Sequence, residues 1–128
     1  MQYYVVDSSV VAAKILEDEV LRPEWQIIFT KAVMGEAELL SPGFLVYEVG
    51  NILRTAVLRK RYTLEKATAL FERFFDISIT YIEPEFQEVF LWANDNNLSF
   101  YDASYGYLAQ KTGHKLLTLD KKLQQLGL

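Results

Sequence analysis

Four acidic residues, Asp7, Glu48, Asp102 and Asp120, stand where carboxylates distant along the chain could act together. Asp7 ends the apolar run Tyr3-Tyr4-Val5-Val6, and Asp120 ends Leu116-Leu117-Thr118-Leu119. Asp102 opens a helical-looking stretch through Ala109. Glu48 falls one turn into the helix that follows the break Ser41-Pro42-Gly43. In open α/β sheets, ligands bind beyond the carboxyl ends of the strands. Carboxylates gathered there suit a hard divalent cation such as Mg²⁺ or Mn²⁺, held through oxygen. Two of them about 5 Å apart repel by about 3 kcal/mol at an effective dielectric of about 20, so a cluster predicts a cation to relieve it.

The elements that must position these acids follow from periodicity. Residues 3–6 read as a short buried strand. Ser8 is a plausible N-cap for a helix through Val11, Ala12, Ile15 and Leu16. Pro23 suits the first position of a second helix, with Trp25, Ile28, Phe29, Ala32 and Val33 on one face. A short strand is expected over 37–41. The helix from about Phe44 to Arg59 has Leu45, Val49, Ile52, Leu53 and Ala56 as its core stripe. Glu48, Asn51 and Thr55 lie on the flank of that stripe, where a carboxylate can look into a cleft.

Thr63 begins a helix carrying Leu64, Ala67, Leu70, Phe71, Phe74 and Phe75, and Ile77, Ile79 and Tyr81 alternate as in a strand. Pro84 begins another helix, with Phe86, Val89, Phe90 and Ala93 inward, ended by Asn94-Asp95-Asn96-Asn97. The Asp102 helix stops at Gly113, residues 115–119 form the last strand, and Lys121 to Leu126 a short terminal helix. Strands alternating with helices predict an α/β fold with a parallel sheet covered on both faces.

A chain of 128 residues fits one domain. Its 51% hydrophobic and 23% charged residues are those of an ordinary globular protein. No apolar stretch approaches the ~20 residues of a membrane span, and the N-terminus carries no basic region or cleavage site. Cysteine is absent, which excludes disulfides and thiol chemistry. A cytoplasmic protein without a membrane role is expected. The net charge of −4 argues against binding nucleic acid over a broad basic surface. A site whose acids are neutralised by bound cations escapes that objection.

The blocks Val5-Val6-Asp7-Ser8-Ser9-Val10, Leu45-Val46-Tyr47-Glu48-Val49-Gly50-Asn51-Ile52-Leu53, Phe100-Tyr101-Asp102-Ala103 and Leu117-Thr118-Leu119-Asp120-Lys121-Lys122-Leu123 resemble the PIN domain, and more narrowly the VapC-type toxins of VapBC toxin–antitoxin systems. Each block alone is weak, but the four together, in order, are fairly specific. The resemblance implies a single PIN domain over residues 1–128, with a Rossmann-like three-layer α/β/α sandwich and a central, mainly parallel sheet. It also implies a Mg²⁺- or Mn²⁺-dependent endoribonuclease, a homodimer, and a VapB-like antitoxin that blocks the acidic site. Asp7, Glu48 and Asp102 match the family's three most regular acids, and Asp120 the more variable fourth. Ser8 or Ser9 matches the hydroxyl residue that supports the metal site, and Asn51 a polar position one turn after the Glu. Asp7 and Asp102 would be principal ligands, Glu48 would ligate through water or orient it, and Asp120 would help hold a second ion.

The chemistry agrees with that implication. RNA can be cut by paired histidines acting on the 2′-hydroxyl, but His114 is the only histidine. The other route, a metal-activated water with cations clamping the attacking and leaving oxygens, needs carboxylates.

Bland roles exist for each residue. Asp102 could be a helix cap, Asp7 and Asp120 turn residues at strand ends, and Glu48 a solvated helix residue. Arg54, Arg59, Lys60 and Arg61 form the one basic cluster; they are candidates to contact the RNA substrate, or simply complement a helix C-terminus. Two other functions compete: a receiver-like signalling domain, and a PIN RNA-processing or RNA-binding module with no toxin role. The receiver fold would want paired acids after the first strand and a mid-chain strand ending in Asp, and neither is present.

Overall fold

A computed structural model describes residues 1–128. Its element order is β1 (Gln2–Val6), α1 (Ser8–Ile15), α2 (Pro23–Val33), β2 (Ala37–Ser41), α3 (Leu45–Leu58), α4 (Leu64–Phe75), β3 (Ile79–Tyr81), α5 (Phe86–Asn96), α6 (Phe100–Thr112), β4 (Lys115–Leu117) and α7 (Lys121–Gln124). The four strands form one sheet in the order β3-β2-β1-β4, and every neighbouring pair is parallel.

Each parallel connection needs a crossover, and crossovers are right-handed. The chain steps from β1 to β2 to β3 in one direction, which places α1 to α4 on one face. It then returns across the sheet to β4, which places α5 and α6 on the other. The packing agrees: α1 lies against α3 and α4, while α6 lies against β1 and β4. The expected three-layer α/β sandwich is therefore present. The direction of the connections reverses between β1 and β4, and such a reversal opens a crevice at the carboxyl ends of the strands.

Most of the apolar burial lies in a core of 25 residues. Val5, Val6, Leu39, Val49 and Leu70 within it are wholly inaccessible to solvent. A second, smaller core of Val89, Ala93 and Ala103 joins α5 to α6 alone. That separation explains a correction. Phe86 and Phe90 were expected to point inward, yet they are 56% and 61% exposed. With only one helix to cover, α5 buries a narrow stripe. Val33, Leu64 and Phe75 likewise fall outside the faces predicted for them and are exposed.

Several boundaries move for local hydrogen-bonding reasons. Asp7, not Ser8, caps α1, its carboxylate accepting from the Val10 N–H. The helix expected to open at Asp102 starts at Phe100, because the Ser99 hydroxyl accepts from the Asp102 N–H. Pro84 lies before α5, which begins at Phe86. β4 ends at Leu117, where Thr118 turns its side chain to another task described below. Thr63 caps α4 as predicted, and Gly113 ends α6 in the left-handed conformation, at φ 75°, that its missing Cβ allows. No helix is long and apolar enough to cross a membrane.

Candidate active site

The β1/β4 crevice is built from the carboxyl ends of those two strands and the N-terminal turns of α3 and α6. Asp7 follows β1 directly and is only 3% exposed. Its Oδ1 accepts from the Ser9 hydroxyl at 2.6 Å and from the Val10 N–H at 3.2 Å, and its Oδ2 accepts from the Thr118 hydroxyl. Burial raises the Asp7 pKa above the ordinary carboxylate range, although these donors oppose it. The strand ends are stitched together as well. The Asp7 N–H donates to the Leu117 carbonyl, and the Leu119 N–H donates to the Ser9 Oγ at 2.9 Å. Of the two serines, Ser9 is therefore the one that holds the Asp7 carboxylate.

Thr118 links Asp7 to the next acid, because its Oγ1 also accepts from the Asp120 N–H at 2.9 Å. Asp120 caps α7, its Oδ1 accepting from the Leu123 N–H at 3.0 Å. Asp102, half-buried in the first turn of α6, has its pKa raised by burial and then by the charge of Asp120, with Ser99 and Lys122 opposing. Glu48 reaches the crevice from α3, and its Oε1 accepts from the Tyr105 hydroxyl at 2.6 Å. Tyr105 is 1% exposed. Burial, then the Glu48 bond, and then the nearby charges of Glu48 and Asp7 push its pKa far up, so it remains a donor.

All four acids thus meet at one end of the sheet, each through a contact or a charge effect with another part of the site. They do not close into a cage: no three of them converge on a single point that would hold a metal ion. The set is looser than the tight cluster expected, although Asp102 and Asp120 do repel. The carboxylates are spread around the mouth and partly satisfied by local donors, Asp7 by three and Glu48 and Asp120 by one each. The donor set nevertheless fits a hard divalent cation. Every candidate ligand is an oxygen, and the second oxygens of Glu48 and Asp120 accept no hydrogen bond.

The other predicted residues fare unevenly. Asn51 lies one turn beyond Glu48, exposed, without a hydrogen bond to the acids. Ser8 is the first residue of α1, and its hydroxyl bears on Tyr105. Of the basic cluster, Arg59, Lys60 and Arg61 lie at the other end of α3 from Glu48. Arg59 caps the C-terminus of the same helix, eleven residues beyond Glu48 and about 16 Å away at 1.5 Å per residue. Lys60 follows the helix end, and Arg61 is engaged with Asp18 at 2.6 Å. Arg54 borders an apolar groove between α3 and α4. The cation that does act on the site is Lys122, through its effect on Asp102. Lys122, Thr118 and Tyr105 were not singled out from the sequence. Thr118, the one hydroxyl two residues before Asp120, carried the clearest signal.

A model of the PIN domain matches residues 4–127. The chain belongs to the PIN domain family. This PIN domain is 33% identical over 125 residues to the protein named Ribonuclease VapC3 of Pyrobaculum aerophilum, a match covering 94% of the chain and 92% of that relative. A second relative from the same organism, named Exonuclease VapC9, is 32% identical over 78 residues, 61% of this chain and 59% of its own. Among solved structures, the PIN domain is similar to PAE2754 from Pyrobaculum aerophilum, with a TM-score of 0.76 and 25% identity over 97% of this chain and 85% of that one. The resemblance to VapC-type PIN proteins is borne out, and the receiver alternative falls with it. The crevice described above is the part of this PIN domain where its acids gather.

Proposed function

We propose that residues 1–128 form one PIN domain acting as a Mg²⁺- or Mn²⁺-dependent endoribonuclease, the toxin of a VapBC pair. The carrying observation is Asp7: a buried carboxylate at the β1/β4 reversal, joined through Thr118 to Asp120. Asp7 also caps α1, and a buried carboxylate whose pKa is raised at such a reversal is what functional sites display. The VapC naming of its relatives supports nuclease chemistry.

Asp7 and Asp102 are the principal ligands in this reading, with Asp120 assisting a second ion. A bound divalent cation supplies an activated water and charge stabilisation at the phosphate. The chain's own groups do the positioning. Ser9 and Thr118 fix the Asp7 carboxylate, Tyr105 fixes Glu48, and the free Glu48 oxygen orients the attacking water. Lys122 offers a charge to the RNA backbone. The partners are RNA, a VapB-like antitoxin and a second copy of the chain, in the cytoplasm. An antitoxin arginine reaching these carboxylates would make strong charge-assisted bonds.

The test is cleavage of total RNA and of a circular RNA with Mg²⁺ or Mn²⁺, comparing wild type with Asp7→Asn. Wild type is expected to cut both substrates, and the variant neither. Equal cleavage by the two proteins defeats the site assignment. Cutting of linear but not circular RNA makes the enzyme an exonuclease, as the name of its second relative says of that protein.

A further inference from the structure

We propose that Tyr101 is a stacking platform for the unpaired nucleobase that flanks the bond being cut. The proposal rests on the nuclease reading of the acidic crevice. Tyr101 lies in the first turn of α6, immediately before Asp102, and is 59% exposed. Its ring is nonetheless held in place. It meets Phe44 edge to face, with centroids 5.3 Å apart and planes at 70°. Phe44 meets Tyr105 in the same way, at 5.1 Å and 65°. Tyr105 is buried and donates to Glu48.

The three rings form a row that starts at the Glu48 carboxylate and ends, open to solvent, at the first turn of α6. Tyr101 and Tyr105 are four residues apart on α6 and so share a face. The Tyr101 hydroxyl makes no hydrogen bond within the protein, so ring packing alone orients it.

Charge decides what such a ring is for. The crevice carries four acids, the protein has a net charge of −4, and Arg59, Lys60 and Arg61 are at the far end of α3. Beyond a bound cation and Lys122, a polyanion held at this mouth gains from an attraction that is not ionic. Base–aromatic stacking is one, and it tolerates any base because each has a π-face. A base stacked on a ring only two aromatic contacts from the Glu48 carboxylate belongs to the nucleotide next to the reacting phosphate. A paired base keeps its faces inside its own helix, so the platform selects single-stranded or looped RNA.

Steady-state kinetics on a short single-stranded oligoribonucleotide with a mapped cut site test this in the full chain with Mn²⁺. Tyr101→Ala is expected to raise KM about 10- to 100-fold, the equivalent of one stacked base, with a smaller change in kcat. Tyr101→Phe and Tyr101→Trp restore the KM, whereas Tyr101→Leu, similar in bulk but without an aromatic face, does not. An abasic nucleotide at the flanking position gives wild type the KM of Tyr101→Ala, and adds nothing further to that variant. The proposal is overturned by an unchanged KM in Tyr101→Ala, by Leu restoring as well as Trp, or by a change of mass in solution in place of a change in KM. The two levels separate cleanly. If wild type and Asp7→Asn cut alike, the nuclease reading itself fails and the platform with it. If wild type alone cuts and Tyr101→Ala keeps its KM, only the platform is lost.

Discussion

Asp7 illustrates how a single carboxylate can oppose stability and serve function. Its folded pKa lies above its unfolded value because burial outweighs its hydrogen bonds. For such an acid the folded state binds more protons, so stability falls as pH rises from the ordinary carboxylate value through the raised one. Asp7→Asn removes that penalty and keeps an oxygen for the Ser9 and Val10 donors. Thermal melts without metal should therefore show the variant more stable than wild type at neutral pH, the gap closing in acid. Mg²⁺ or Mn²⁺ should raise the wild-type Tm by mass action and the variant's much less. Thr118→Val deletes a hydroxyl that serves both Asp7 and the Asp120 N–H. Denaturant titration should register a loss of about 1–3 kcal/mol, with cleavage falling alongside. The acids were legible in the sequence because strand ends and helix starts announce themselves. Thr118 and Tyr105 were not, since a hydroxyl's partner more than fifty residues away leaves no local pattern.

At the scale of elements, the strand and helix order was largely legible, and faces were misjudged where a helix has an unusual neighbourhood. α5 was expected to bury Phe86 and Phe90 because both fit a 3.6-residue stripe. It packs on α6 and has only the small Val89, Ala93 and Ala103 core to complete. That contact depends on a glycine. A Cβ at Gly106 would stand 2.7 Å from the Trp92 ring, with the Leu123 side chain at 3.3 Å on another side. Gly106→Ala should gain helix propensity yet lose about 1–3 kcal/mol through overpacking, measured by chemical denaturation. Trp92→Leu in the same background should recover part of it. Equal stability of Gly106→Ala and wild type would mean that α5 moves aside freely. Capping residues misled in a related way. Asp102 looked like a cap because Asp favours that role, but Ser99, three residues earlier, already fills it and leaves the Asp102 carboxylate for the crevice.

On the scale of the whole molecule, charge was legible as a sum but not as a map. The basic cluster at the end of α3 was a candidate RNA contact, whereas Arg61 serves to fasten the segment after α1. Its guanidinium bonds to both oxygens of Asp18 at 2.6 and 2.7 Å, and Tyr62 donates to the same carboxylate. Those bonds hold the Asp18 pKa down at about 2, Arg61 contributing most. A depressed folded pKa stabilises above the unfolded value, about 3.9, and the contribution is lost as pH falls through the folded one. Thermal melts between about pH 6 and about pH 2 should accordingly show Asp18→Asn less stable than wild type at the upper end, with the gap narrowing toward the lower. A constant difference across that range would sink the assignment. Because the pair is solvent-exposed, the effect should also shrink with added salt.

Asp7 and Thr118 are 111 positions apart, and Ser9 and Leu119 are 110. A chain made from its N-terminus therefore emits Asp7 early and waits for nearly all of translation before the residues that orient it exist. A ribosome stalled before Thr118 would carry a product whose Asp7 lacks the hydroxyl that holds it. Whatever chemistry the crevice performs, it waits until the C-terminal strand has been made and folded against β1.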